Sequence, residues 1–190
     1  MKTLIVNSIA AAIAISMSGV AFAGAGHDGG DHHAPAIGEQ GKAEKASRTV
    51  VVTMRDNYYE PEQVSVREGE TIRFKLNNQG SLVHEFNIGT PAMHQAHQKE
   101  MLTMVQHGVI QGGTLNREMM SMDMGNGKTM KQDDPNSVLL VPGESAEIIW
   151  TFSRTTELEF ACNVPGHYQS GMAGTIEFNQ DQQLSLDDKK

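Results

Sequence analysis

"FACNVPGHYQSGMAG", residues 160–174, holds the only cysteine of a 190-residue chain, with His167 five positions after Cys162 and Met172 five positions after His167. The stretch is entered through "ELEFAC", where Leu158, Phe160 and Cys162 share one face and Glu157 and Glu159 take the other. It is left through "TIEF", with Ile176 and Phe178 as an apolar pair. Period-two alternation over so few residues marks a half-buried strand. The segment therefore reads as strand, short loop, strand, with a thiol, an imidazole and a thioether gathered on the connection.

The same texture recurs upstream. "TVVVTM" is a β-branched run, and "QVSVR" puts Val64 and Val66 on one face. After the turn signal Glu68-Gly69-Glu70, "TIRFKLN" places Ile72, Phe74 and Leu76 inward and Arg73 and Lys75 outward. "LVHEFNI" aligns Leu82, His84, Phe86 and Ile88. "SVLLV" precedes the turn Pro142-Gly143-Glu144, and "SAEIIWTF" aligns Ala146, Ile148, Trp150 and Phe152. About seven short strands with turn signals between them predict an all-β, two-sheet sandwich or barrel. There is no alternation of strands with helices and no internal repeat.

Residues 90–136 interrupt this pattern. Thr90-Pro91 is a helix start, a capping hydroxyl followed by proline at the first helical position, and the spacing predicts a helix to about Gln106. A loop rich in Gly, Met, Asn and Asp then leads to Pro135. An insertion of this length in a small β domain is usually either functional or mobile. The chain ends divide similarly. Residues 1–23 carry Lys2, an apolar run and the small-x-small pattern Ala21-Phe22-Ala23, predicting an export signal cleaved after Ala23. Residues 24–47 read as a flexible, His-containing arm, 48–179 as the β domain, and 180–190 as a polar tail. Cleavage leaves 167 residues and moves the net charge from −8 to −9, which argues against nucleic acid as partner.

An exported chain with one cysteine cannot close a disulfide on itself. Cys162 and His84 fall in phase with the inward residues of their own strands. Burying either unpaired costs on the order of 1–3 kcal/mol, and one metal ion satisfies both. Two imidazoles, a thiolate and a thioether form a soft, nitrogen-rich donor set that suits copper. Zinc accepts Cys and His but takes thioether poorly, and calcium and magnesium need oxygens. Loop-closure entropy over the 78 positions between His84 and Cys162 is met by the β shell, so the site is expected to be largely preformed.

The segments "YEPEQVSVREGETIRFKLNN", "LVHEF", "VPGESAEIIWTF" and "FACNVPGHYQSGMAGTIEF" resemble the cupredoxins, small blue-copper proteins, over Val50 to Asn179 apart from the insertion. The resemblance implies a Greek-key β-sandwich or barrel and a type 1 copper site. In that site His84 and His167 bind through a ring nitrogen, Cys162 binds as thiolate, and Met172 is axial. The family often has Asn after its first ligand histidine. Here Glu85 follows, and it is expected to support the cysteine loop near Asn163.

Eight of the twelve methionines lie between Met93 and Met130. On the expected helix His94, His97, Met101 and Met104 form one stripe, with His107 beyond it. "MMSMDMG", with Met119, Met120, Met122 and Met124, has a thioether density suited to Cu(I), and the arm brings His27, His32 and His33, suited to Cu(II). These are candidates for additional copper. Against that stands a simpler reading, a Met/His face packed on the barrel. The layout of signal, His-rich arm, cupredoxin and Met/His insertion resembles copper-resistance cupredoxins of the CopI type. That implies a periplasmic, non-enzymatic copper protein acting in copper tolerance, with copper ions and a redox or copper-handling protein as partners. The alternative is a small electron-transfer shuttle. One cupredoxin unit without His-x-His or His-Cys-His motifs lacks the further copper clusters of multicopper oxidases and copper nitrite reductases, though a weak Cu(I)-oxidising activity fed by the Met-rich loop stays open.

Overall fold

Strands whose apolar residues alternate must bury one face, and here two sheets bury theirs against each other. The chain is described by a computed structural model over residues 37–122, 130, 134–153 and 157–179. One sheet has the order β1 (Gly38–Gln40), β10 (Ser145–Phe152), β5 (Thr71–Asn78), β2 (Arg48–Arg55), β3 (Tyr58–Glu60). The other has the order β4 (Gln63–Val66), β12 (Ala173–Phe178), β11 (Leu158–Ala161), β6 (His84–Gly89), β9 (Ser137–Leu140). The pairs β2–β5 and β4–β12 are parallel and the remaining pairs are antiparallel. Among the described residues no helix is long and apolar enough to cross a membrane.

Aromatic rings from both sheets fill the space between them. Phe74 lies 5.4 Å from Phe86, Phe86 stacks on Phe160 at 5.2 Å, and Tyr59 meets Phe160 edge-on at 5.1 Å. All four are fully buried. Ring pairs of this kind add about 0.5–1.5 kcal/mol beyond the area they bury. The expected inward set Ile72, Phe74, Leu76, Ile148, Trp150 and Phe152 is buried, while Ala146 is half-buried.

Three local expectations are corrected. Residues 38–40, assigned above to the flexible arm, form an edge strand paired with β10, and a 3-10 turn follows at Ala43–Lys45. The cause is Trp150, whose indole N–H donates to Ile37 O at 3.2 Å while Ile37 itself is buried. Leu82 lies before β6 and is half-exposed; Val83 takes the core position instead. The loop expected after the helix contains a hairpin, β7 (Ile110–Gln111) and β8 (Thr114–Leu115), and a short helix α2 (Arg117–Met120).

The helix α1 spans Pro91–Gln106, and the Thr90 hydroxyl caps it by accepting from Met93 N at 3.3 Å. The α1 face carrying His94, Met101 and Met104 is buried. All six residues of β6 are buried too, so this strand has no solvent face.

Gly174 in β12 pairs with Phe160, and a Cβ there would collide with the Phe160 ring and approach Glu62 O to 2.8 Å. Gly174→Ala is therefore expected to lower unfolding free energy by about 1–3 kcal/mol, the range for overpacking a tight core. Denaturant titration checks this, and an unchanged midpoint would show that the ring can yield.

Candidate metal centre

The antiparallel register of β6 and β11 pairs Phe160 with Ile88 and Ala161 with Asn87. Continued past the end of β11, it brings Asn163 level with Glu85, so Cys162 arrives beside the start of β6. Glu85 N donates to Cys162 Sγ at 3.3 Å. The Glu85 carboxylate Oε2 accepts from Asn163 N at 3.1 Å and from Asn163 Nδ2 at 2.9 Å. Tyr59 adds a third tie, its hydroxyl donating to Glu85 O at 2.6 Å. These contacts fix the pole of the sandwich where the donors meet.

The loop from Cys162 to Met172 folds back on itself. Cys162 N donates to Met172 O at 3.1 Å, Met172 N to His167 O at 3.0 Å, and His167 N to Val164 O at 3.0 Å. Gly166 (φ +91°) and Gly171 (φ +95°) supply the left-handed conformations this compact loop requires. His84 Nδ1 and His167 Nδ1 face each other at 3.2 Å, with Cys162 Sγ 3.3 Å from the latter and 4.0 Å from the former. The three donor atoms lie within 4.8 Å of one another. His84, Cys162 and Met172 are fully buried, and His167 keeps 9% of its surface exposed.

This donor set fits a copper ion. Two imidazole nitrogens and a sulfur converge at separations one ion can bridge, at a pole from which water is largely excluded. Burial pushes the Cys162 thiol up to about 12, only partly offset by the Glu85 N–H. Burial also pulls His84 and His167 below their ordinary value, favouring neutral imidazoles with a lone pair to donate.

Glu85 is a fully buried carboxylate, and its counter-charge comes from the insertion. His97 Nε2 lies 2.9 Å from Glu85 Oε1, and Ser137 Oγ donates to the same oxygen at 2.7 Å. Burial would lower His97, but its hydrogen bond to Glu85, the Glu85 charge and Glu100 raise it to about 9. Burial would raise Glu85, yet His97, Ser137 and Asn163 hold it below its ordinary value. Two more contacts join α1 to the ligand loop. Asn163 Nδ2 lies 3.1 Å from His94 Nδ1, and Gln169 Nε2 donates to Gln98 Oε1 at 2.7 Å. His94 also stacks on Tyr168, whose hydroxyl donates to Glu159 Oε1 at 2.6 Å.

The candidates for additional copper are not gathered in the same way. His97 has both ring nitrogens on carboxylates, Glu85 and Glu100, each at 2.9 Å. Met101 and Met104 are core residues, and Met119 and Met120 pack half-buried against the core. Met122 and His107 are exposed. Met124, His27, His32 and His33 lie outside the described residues. Among the described residues, His84, Cys162 and His167 form the one cluster of His, Cys, Asp and Glu donors able to hold a metal. The sequence reading missed Asp56, 2.9 Å from His84 Nε2, because no pattern links a turn residue to a strand histidine 28 positions on.

A two-sheet β-sandwich with a His/Cys/His pole defines the class, and comparison with known proteins gives the family. A cupredoxin-like domain model matches residues 32–116, the part that carries His84. The copper-resistant cuproprotein CopI of Pseudomonas aeruginosa is 49% identical over 168 residues, covering 83% of this chain and 90% of that protein. CopI of Rubrivivax gelatinosus is 36% identical over 185 residues, covering 93% and 98%. The solved structure of auracyanin B superposes with a TM-score of 0.52 at 20% identity over 75% of this chain and 96% of that one, a likeness of fold. The chain belongs to the CopI family of cupredoxins.

The Glu85–His97 pair carries a pH signature. A histidine raised from 6.5 to about 9 contributes stability that is fully present below pH 6.5 and lost as pH rises through 9. The lowered Glu85 contributes above its ordinary 4.5 and loses its contribution as pH falls below that. His97→Ala is therefore expected to destabilise the metal-free protein by about 3–5 kcal/mol between those limits, the range for breaking a buried pair. The gap from wild type should narrow above pH 9. Urea titrations at pH 6 and pH 10 check this, and an equal gap at both would contradict a charged pair.

Proposed function

We propose that this protein is a periplasmic, non-enzymatic copper-binding cupredoxin acting in copper tolerance, with one redox-active type 1 copper held by His84, Cys162, His167 and Met172. One observation carries the reading: the convergence of His84 Nδ1, His167 Nδ1 and Cys162 Sγ within 4.8 Å at a buried pole. The relatives' names supply the link to copper resistance. When bound, copper supplies a one-electron Cu(I)/Cu(II) couple.

The chain's own residues do the rest. His84 and His167 present nitrogen lone pairs from a framework that need not reorganise. Cys162 gives up its Sγ proton on loading, which the low intrinsic acidity of the buried thiol makes pH-dependent. Met172, fully buried and clamped by backbone to Cys162 and His167, would offer its thioether as a further soft donor to copper. Glu85 holds Cys162 through its N–H and Asn163 through its carboxylate. An electron-transfer shuttle is the second reading, favoured by the exposed edge of His167 beside exposed Pro165 and Gly166. Further copper on the exposed thioethers and His107 belongs to the tolerance reading. The α1 stripe contributes structure: His97 pairs with Glu85, His94 Nδ1 lies against Asn163, and Met101 and Met104 are core residues.

Copper-loaded protein is expected to show intense visible thiolate-to-copper charge transfer that Cys162→Ser abolishes; colour surviving the substitution would refute the assignment. Copper per chain in the same preparations counts further ions, with one per chain leaving this centre alone. Loss of the gene should lower the copper concentration that cells tolerate, and unchanged tolerance would leave the shuttle reading.

A further inference from the structure

The two-residue turn Asp56-Asn57 joins β2 to β3, whose register pairs Arg55 with Tyr58. It touches both halves of the metal centre. Asp56 Oδ1 lies 2.9 Å from His84 Nε2, and Asn57 Oδ1 lies 3.2 Å from Ser170 Oγ on the ligand loop. Ser170 Oγ is in turn 2.8 Å from the carbonyl of His167. Asn57 sits at φ +76°, a left-handed conformation that Asn adopts more readily than most residues. We propose that this turn is a positioning element for the centre, in which Asp56 selects the tautomer of His84 and places a fixed negative charge behind it. The inference rests on the copper-binding reading given above.

The proton assignment follows from chemistry. Asp56 accepts from Ser81 N at 2.9 Å and 3.1 Å, from Ser81 Oγ at 2.6 Å and from Leu82 N at 3.3 Å. Both carboxylate oxygens are thus engaged by N–H and O–H donors, so Asp56 meets His84 as an acceptor. The hydrogen between Asp56 and His84 is therefore on Nε2. A neutral imidazole has one N–H, which leaves Nδ1 with its lone pair. That nitrogen is the one facing His167 Nδ1 and Cys162 Sγ. Without Asp56 the proton is free to occupy Nδ1, where it would have to be displaced before a metal could bind.

The surroundings protect this contact. A Cβ at Gly80 would collide with Asp56 and come within 2.7 Å of His84 Nε2, so bare backbone covers the hydrogen bond. The charge has its own consequence. A carboxylate hydrogen-bonded to a metal-binding imidazole raises its basicity and favours the more highly charged metal state.

Asp56→Asn keeps an acceptor oxygen for His84 and removes the charge, whereas Asp56→Ala removes both. Nitrogen-15 spectra of the His84 ring in metal-free protein read the tautomer directly. Wild type and Asp56→Asn are expected to show the Nε2–H form alone, and Asp56→Ala a mixture or the Nδ1–H form. Copper ion affinity, read by chelator competition, should fall about 10–100-fold in Asp56→Ala, the range for losing such an outer partner. The copper reduction potential of Asp56→Asn should lie above wild type. An unchanged tautomer in Asp56→Ala would overturn the selection of tautomer, and an unchanged potential in Asp56→Asn would overturn the electrostatic part. Should Asp56→Ala not fold, a wild-type His84 lacking the Nε2–H form decides against the proposal and one holding it alone supports it. Wild-type protein that binds no copper would defeat the copper reading, while the metal-free spectra still decide the tautomer.

Discussion

The centre depends on the seam between the start of β6 and the end of β11. One residue, Glu85, closes it with both its backbone and its side chain. The N–H to Cys162 Sγ sets the sulfur, and the carboxylate to Asn163 sets the loop that carries His167 and Met172. Because β6 and β11 are neighbouring strands, the 78-residue separation of His84 from Cys162 is closed by sheet formation before any ion arrives. A metal then meets donors that packing has already ordered.

Glu85 also explains the insertion. A buried carboxylate is tolerated only when paired, and the sandwich alone gives it neutral donors, Ser137 and Asn163. Helix α1 brings His97 to it, His94 to Asn163 and Gln98 to Gln169. The same helix buries Met101 and Met104 over the core. Part of the Met/His-rich segment is therefore an outer wall of the centre, and its composition answers to packing and charge as well as to metal chemistry. The Asp56-Asn57 turn touches both His84 and the loop that carries His167.

Strong period-two segments were legible: β5 and β10 emerge where alternation places Phe74, Leu76, Trp150 and Phe152, because each has one wet face. The convergence of Cys162 with His167 was legible because the two lie on one short loop at a distinctive spacing. The partnership of Glu85 with Asn163 could be anticipated from Glu85's adjacency to His84. Other features were hidden for physical reasons. Strand β1, Gly38-Glu39-Gln40, has no apolar periodicity and is held by a contact from Trp150, more than a hundred positions away. The burial of β6 on both faces depends on where α1 docks. The role of His97 requires a helix-to-strand contact, and that of Asp56 a turn-to-strand contact, and neither leaves a trace in local pattern. The His/Met stripe was ambiguous in principle, since metal ligation and core packing ask for the same helical spacing.

The central claim is a donor set assembled by the fold before metal binds. Its most direct test is a pair of crystal structures of this chain, metal-free and copper-loaded. His84 Nδ1, Cys162 Sγ and His167 Nδ1 are expected to shift by less than about 0.5 Å between them, the tolerance of a preorganised site. Donor movements or loop rearrangements beyond about 2 Å, the scale of an induced change, would contradict it.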